Sequence, residues 1–308
     1  MSTPNQGILV LGAGELGMPI LRELSKPHWE RSDITVLLRP ATITTSNPDK
    51  QAEVTEIRNL GIHLLPGDLV ASSVSELAKL MTGFHTVIGC TGFVAGRGIQ
   101  TKLAQAVLEA GIPRYFPWQF GVDYDVIGKG SAQDLFDDQL DVRALLRGQE
   151  RTEWVIISTG VFTSFLFSPF FRVVDIENGT VHALGSWDNR ITVTTVEDIG
   201  RLTAKIVHSK PRICNTVLYT GGDTLSYSQL ADIVDSVLES KGRKAQRLVW
   251  EVPMLQEQLK SDPNDALKKY WVVFAKGRGV SWDLEQTFNK EHNIPVVSAR
   301  QWAHDNLK

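Results

Sequence analysis

The stretch Gly7-Ile8-Leu9-Val10-Leu11-Gly12-Ala13-Gly14-Glu15-Leu16-Gly17 decides the fold of this chain. An apolar run suited to a buried parallel strand ends in G-x-G-x-x-G, and Met18 to Leu24 continues as a helix. Strand, glycine turn and helix in that order are the context in which this pattern reads as a dinucleotide-binding turn. Gly12 allows the tight turn, Gly14 lets a pyrophosphate approach the backbone, and Gly17 lets the helix pack close to the strand. Glu15 and Leu16 sit inside the turn, where the free N–H groups and positive dipole end of the helix face the phosphates. The rival reading is a chance cluster of glycines at a strand-to-helix turn.

The next strand selects among dinucleotides. Asp33-Ile34-Thr35-Val36-Leu37-Leu38 is short and apolar and ends at Arg39, followed by Pro40, Thr42, Thr44 and, further on, Lys50. About 20 residues past the glycines an acid would bind a ribose 2′-hydroxyl, whereas an arginine suits the 2′-phosphate of NADP. No acid occupies the strand end, and the planar fork of Arg39 pairs with phosphate and stacks on adenine. The expected cofactor is NADP(H), with NADPH preferred over NADH.

The chain has 308 residues, 42% hydrophobic and 22% charged, ample for a large core. A net charge of −3 and a pI of about 6.2 provide no basic field for nucleic acid. Met1 to Gln6 shows no targeting pattern, and no apolar stretch approaches the roughly 20 residues that span a bilayer. Val161 to Phe171 is the greasiest segment, yet Ser164, Ser168 and Pro169 interrupt it. The expected location is cytoplasmic. Cys90 and Cys214 suggest no disulfide framework, and the histidines, His182 included, show no metal-ligand spacing.

Strand and helix patterns alternate through the first half, which indicates βαβ units. Helices are expected at Ala52–Leu60, Val74–Met81, Gln100–Ala110 and Ala132–Arg147, with strands at Ile62–Leu65, His85–Ile88, Arg114–Phe116 and Trp154–Ile157. Asn178-Gly179 marks a hairpin. The fold class is therefore α/β: a Rossmann-type doubly wound parallel sheet with a smaller, interleaved C-terminal substrate-binding lobe. The expected division is 1–158 for the NADP(H)-binding domain and 159–308 for the lobe.

Ligands of open α/β sheets bind beyond the carboxyl ends of the strands. There stands Asp68 after Pro66-Gly67, an acceptor for an adenine amino group or a plain turn residue. Gly89-Cys90-Thr91-Gly92 offers bare backbone beside a cofactor or a tight turn. Phe116-Pro117-Trp118-Gln119-Phe120-Gly121 places aromatics where a nicotinamide and a flat substrate would meet, with Phe120 toward the cofactor and Trp118 and Gln119 toward substrate. Phe162 and Phe165, within Val161–Phe167, suggest an apolar wall for a flat substrate, or core packing.

These stretches, with Gly111-Ile112-Pro113-Arg114-Tyr115-Phe116-Pro117-Trp118-Gln119-Phe120-Gly121 and Val193 to Gly200 ending Glu197-Asp198-Ile199-Gly200, resemble the NmrA-like, isoflavone-reductase-like branch of the atypical short-chain dehydrogenases. The resemblance covers roughly residues 7 to 240, and the overall style is similar to fungal members. It implies a Rossmann-type NADP(H) domain and, in enzymatic members, reduction of aromatic secondary metabolites such as isoflavones and phenylpropanoid ethers.

The departures bear on chemistry. The resemblance implies a lysine on the helix after the aromatic loop, and aligning by Val142-Arg143 puts Gln139 there. A neutral amide lacks a general acid's driving force. It can hydrogen-bond a carbonyl or orient a water. The family's Ser-Glu before Phe-Gly is here Trp118-Gln119. Tyr124 is followed four residues on by Gly128, with Lys129 one beyond, so the Tyr-x-x-x-Lys pair of ordinary short-chain dehydrogenases is absent. Gln139, Tyr124 and Lys129 are the catalytic candidates, the last two in a loop expected to fold over the site. Asp138 is a proton donor if buried, while Asp137 and Asp141 read as a solvated acidic face. The leading expectation is an NADPH-dependent reductase of an aromatic or conjugated small molecule, monomeric or homodimeric, binding neither nucleic acid nor membrane. The alternatives are a non-catalytic NADP(H)-sensing regulator and a redox-neutral biosynthetic enzyme.

Overall fold

A computed structural model of the chain describes residues 7–29, 32–239 and 242–307, so the expectation drawn from Met1 to Gln6 lies outside the described residues. β1 (Ile8–Leu11) leads to α1 (Gly17–Leu24), β2 (Ile34–Leu38) to α2 (Pro40–Ile43) and α3 (Pro48–Asn59), β3 (His63–Pro66) to α4 (Val74–Met81), and β4 (Thr86–Gly89) to α5 (Ile99–Glu109). Next come β5 (Arg114–Phe116), α6 (Tyr124–Ile127), α7 (Leu135–Arg147) and β6 (Glu153–Ser158). Beyond them lie β7 (Val161–Phe162), α8 (Thr163–Leu166), β8 (Val174–Asp175), β9 (Thr180–Leu184), β10 (Arg190–Thr194), α9 (Val196–Val207), β11 (Thr216–Tyr219) and β12 (Asp223–Ser226). The chain continues through α10 (Tyr227–Leu238), β13 (Gln246–Trp250), α11 (Val252–Ser261), α12 (Ala266–Ala275), α13 (Phe288–Glu291) and α14 (Ala299–Asn306).

A seven-stranded sheet has the order β11-β6-β5-β4-β1-β2-β3. The pairs β2–β3, β1–β2, β1–β4, β4–β5 and β5–β6 are all parallel. This is the doubly wound order, and it reverses between β1 and β4, the switch point where ligands of such sheets bind. All four residues of β1 are buried, as expected of a strand covered on both faces. Leu9, Leu11, Leu37, Val87, Tyr115 and Ile156 belong to one apolar core.

Local chemistry sets the helix ends. Ser73 and Glu76 close a capping box at the start of α4. Asn47 accepts from the Lys50 N–H at 3.1 Å and Pro48 follows, so α3 begins earlier than Ala52. The polar start of that helix hid its first turn from hydrophobic periodicity. Likewise α7 begins at Leu135 rather than Ala132. The Asn178-Gly179 turn joins the antiparallel β8 and β9, with Gly179 at φ +66°.

The chain divides into two compact units: Met1–Gln119, Asp138–Ile157 and Ile199–Val217 form the first, and Phe120–Asp137, Ser158–Asp198 and Leu218–Lys308 the second. Where the sequence suggests one boundary at 158, the chain changes unit several times. Two smaller sheets lie in the second unit, β12-β10-β7 and β13-β9-β8. No described helix is long and apolar enough to cross a membrane.

The Glu197-Asp198-Ile199-Gly200 motif has packing roles. Within the second unit, Asp198 accepts from the Val297 N–H at 2.7 Å. Within the first, a Cβ on Gly200 would stand 2.7 Å from the Pro19 backbone, so only glycine lets α9 lie against α1.

Candidate functional site

The glycine turn of the first unit separates its three glycines by role. Gly12 has φ +100°, and a Cβ there would meet Thr91 Oγ1 at 2.7 Å. A Cβ on Gly17 would stand 2.3 Å from the Gly12 carbonyl oxygen, so Gly17 sets the close approach of α1 to the turn. Around Gly14 nothing lies within 4 Å of where a Cβ would sit. Protein packing does not require glycine there, and the open space is what a pyrophosphate approaching the backbone needs.

Beside this turn a cleft of about 330 Å³ is lined by Gly12, Gly14, Arg39, Lys50, Asp68 and Thr91, among others. The structure thus brings together six of the residues expected from sequence, five of them just past the carboxyl ends of β1, β2, β3 and β4 and the sixth, Lys50, on α3. Thr91 donates to the Leu11 carbonyl at 2.9 Å, and Gln100 Nε2 donates to the Thr91 carbonyl at 2.7 Å, which fixes this rim. Asp68 Oδ1 accepts from the Val70 and Ala71 N–H groups at 2.8 and 3.0 Å. These bonds, with lesser help from Arg39 and Lys102, hold its carboxyl below the usual aspartate range. Asp68 is therefore both a turn residue and an acid facing the cleft. Lys50 is tethered to Glu53 at 2.8 Å. Sequence reasoning missed the apolar side of the cleft, Val54, Ile57, Leu69 and Ala95. The first two carried a signal, being spaced i, i+3 on α3.

Other expected contacts take different places. Glu15 is exposed, and Leu16, Gly17 and Cys90 are buried, outside the cleft lining. Burial pushes the Cys90 thiol far up. Gly92 is bare for a protein reason: a Cβ there would meet the Trp118 ring at 2.7 Å, and on Gly89 it would meet the Trp118 backbone nitrogen at 2.8 Å. The Trp118 indole covers this loop and packs edge-on against Phe93, with ring centres 4.7 Å apart.

The Trp118-Gln119 pair is latched to α7. Gln119 Nε2 donates to the Gln139 carbonyl at 2.8 Å, Gln139 Nε2 donates to the Trp118 carbonyl at 3.0 Å, and Arg143 Nε donates to Gln119 Oε1 at 2.7 Å. Gln119 and Gln139 have no exposed surface. This corrects the expectation that Gln119 faces substrate, because both ends of its amide are bonded within the protein. It also corrects the expected orientation of Gln139: its amide nitrogen is turned to Trp118, and Oε1 is buried without a hydrogen-bond partner. An acceptor oxygen cannot stabilise a developing anion. Asp138 accepts from the Gln100 and Thr101 N–H groups, both at 3.3 Å, and from the Thr101 hydroxyl, and so anchors the start of α5.

In the second unit, Tyr124 opens the short helix α6 instead of lying in a loop, and only 1% of it is exposed. The helix forms because Asp123 Oδ1 accepts from the Val126 N–H at 3.2 Å. Tyr124 packs edge-on against Phe136, which packs against Tyr270, which meets Phe165 and Phe274. Phe165 lies 4.8 Å from Phe171. The two readings of the Val161–Phe167 wall thus both hold in part: Phe167 is core, while Phe162 and Phe165 keep partial exposure. Phe120 is buried, and Lys129 is exposed in a turn after α6. A pair that sequence reasoning missed is Tyr219 and Asp123, whose hydroxyl and Oδ2 are 2.7 Å apart. Among the described residues no group of three His, Cys, Asp or Glu could hold a metal.

A doubly wound α/β unit with a glycine turn at its switch point defines the dinucleotide-binding class. Residues 4–291 match the NmrA-like family, and this chain belongs to that family. An NmrA-like family domain-containing oxidoreductase of Gibberella moniliformis is 46% identical over 303 residues, covering 98% of each chain. Phenylcoumaran benzylic ether reductase 1 of Arabidopsis thaliana is 27% identical over 299 residues, covering 94% of this chain and 93% of the relative. Among solved structures, the binary complex of leucoanthocyanidin reductase with NADPH from Vitis vinifera superposes with a TM-score of 0.79 at 17% identity, covering 97% of this chain and 98% of the other, a likeness of fold.

Proposed function

We propose that this protein is an NADPH-dependent reductase of an aromatic or otherwise conjugated small molecule. The observation that carries the reading is the cleft at the switch point, where Gly14 leaves open backbone and Arg39, Lys50 and Asp68 converge. The oxidoreductase name of the Gibberella relative and the reductase name of the Arabidopsis one support it.

The residues fit NADP(H). Gly12 and Gly14 would let the pyrophosphate reach the backbone, and the N–H groups that open α1 would face its oxygens. Arg39 would pair with the 2′-phosphate, and Asp68 would accept from the adenine amino group. Val54, Ile57 and Leu69 would cover the apolar face of the base. When bound, NADPH supplies a hydride from C4 of the nicotinamide. We assign the first unit to the cofactor and the second to the substrate, with Phe162 and Phe165 against its rings. Because Gln139 is latched to Trp118, its work is to hold the Trp118-Gln119 loop, and catalysis rests on positioning.

One observation favours a second reading. The family's lysine position holds an amide engaged within the protein, which suits a dinucleotide-binding regulator without turnover. A panel of quinones, enones and imines with NADPH separates the two. Loss of the reduced cofactor's absorbance supports the reductase, while tight NADPH binding with no turnover supports the regulator. Product formation without net cofactor oxidation would point to a redox-neutral enzyme.

A further inference from the structure

The second unit contains a cavity of about 1050 Å³, at the upper end of small-molecule sites. It lies on a different face of α12 from the rings assigned to substrate. Tyr270 and Phe274 turn to the Phe165–Phe171 cluster, while Leu267, Lys268 and Trp271 line the cavity. Its floor is aromatic. The Trp250 ring stacks on His182 with centres 4.1 Å apart and lies 4.6 Å from Trp271. Trp250 ends β13 and keeps part of its surface open. A flat ring can pack on the part of Trp250 that stays exposed.

The lining also includes a cation in a costly conformation. Arg172 has φ +60°, a left-handed backbone that non-glycine residues adopt only under strain. It is exposed and forms no ion pair among the described residues. Two of the nearby acids are engaged already. Asp175 accepts from the N–H and Nδ2 of Asn178 at 2.9 and 2.8 Å, and Asp265 accepts from the Leu267 and Lys268 N–H groups at 2.8 and 3.0 Å. Glu177 lines the cavity with no side-chain hydrogen bond among the described residues, so it opposes an anion that Arg172 attracts.

We propose that this cavity is a second binding site, for a flat aromatic anion whose ring lies on Trp250 and whose charged group meets Arg172. The test is a fluorescence titration of the full chain with 8-anilino-1-naphthalenesulfonate, with and without saturating NADPH. The expected result is saturable binding that NADPH does not displace. Trp250→Ala weakens it tenfold or more, and Glu177→Gln leaves it equal or tighter. Arg172→Gly serves as the control for folding, since glycine removes the backbone strain: its Tm stays at or above wild type while probe affinity falls several-fold. Absence of saturable binding, displacement by NADPH, or unchanged affinity in both Trp250→Ala and Arg172→Gly would overturn the proposal.

Discussion

Gln139 Nε2 donates to the Trp118 carbonyl at 3.0 Å, and Gln119 Nε2 donates back to the Gln139 carbonyl at 2.8 Å. The two bonds tie the segment after β5 to α7. Gln139→Leu keeps the volume and removes the donor, so it should cost about 1–3 kcal/mol, the penalty for a buried polar group left without its partner. Urea denaturation measures this. NADPH affinity should stay within a factor of about two, because the latch lies outside the cofactor cleft. A variant as stable as wild type would show that the bond holds nothing.

The glycines of the turn should behave differently from one another. Gly17→Ala forces a Cβ to within 2.3 Å of the Gly12 oxygen and should destabilise by about 1–3 kcal/mol through overpacking. Gly14→Ala meets nothing within 4 Å, so stability should change by less than about 0.5 kcal/mol. NADPH affinity should nevertheless fall at least tenfold, because the methyl would enter the space that we assign to the pyrophosphate. Thermal melts beside NADPH titrations of the two variants check this, and parallel losses of stability would refute it.

The sequence made much of this legible and left one kind of relationship hidden. Glycine spacing, Arg39 at the end of β2 and the alternation of strands and helices are local signals, and each places its residues where the structure has them. The latch between Gln119 and Gln139, and the bond between Tyr219 and Asp123, join residues 20 and 96 positions apart. No local pattern announces them. Gly92 is hard to read locally for the same reason, since its bareness is explained by Trp118, which reaches it only in the fold. Tyr124 reads as loop from sequence because a four-residue helix capped by Asp123 leaves too little periodicity to see.

Two histidines should make stability depend on pH near neutrality. Burial, then the Arg212 and Arg114 guanidinium groups, lower the His85 value below its ordinary 6.5. Burial lowers His182 as well, against opposing pulls from the Arg172 backbone and Asp175. The unfolded chain therefore takes up protons at a higher pH than the folded one. Stability from these groups is fully present above about pH 6.5 and is lost as pH falls through the folded values. Urea midpoints at pH 7.5 and 5.5 should show the decline, and His85→Gln should make it shallower. An unchanged slope in that variant would remove His85 from the account.

Arg39 carries the assignment of the cofactor, because it is the residue of the cleft that we assign to the 2′-phosphate separating NADPH from NADH. A charge-assisted hydrogen bond contributes about 1.5–3 kcal/mol, or roughly tenfold to over a hundredfold in affinity. The direct measurement is calorimetric titration of wild type and Arg39→Gln with NADPH and with NADH. Wild type should bind NADPH at least tenfold more tightly than NADH, and Arg39→Gln should erase most of that ratio. Equal affinities of wild type for the two cofactors would contradict that assignment.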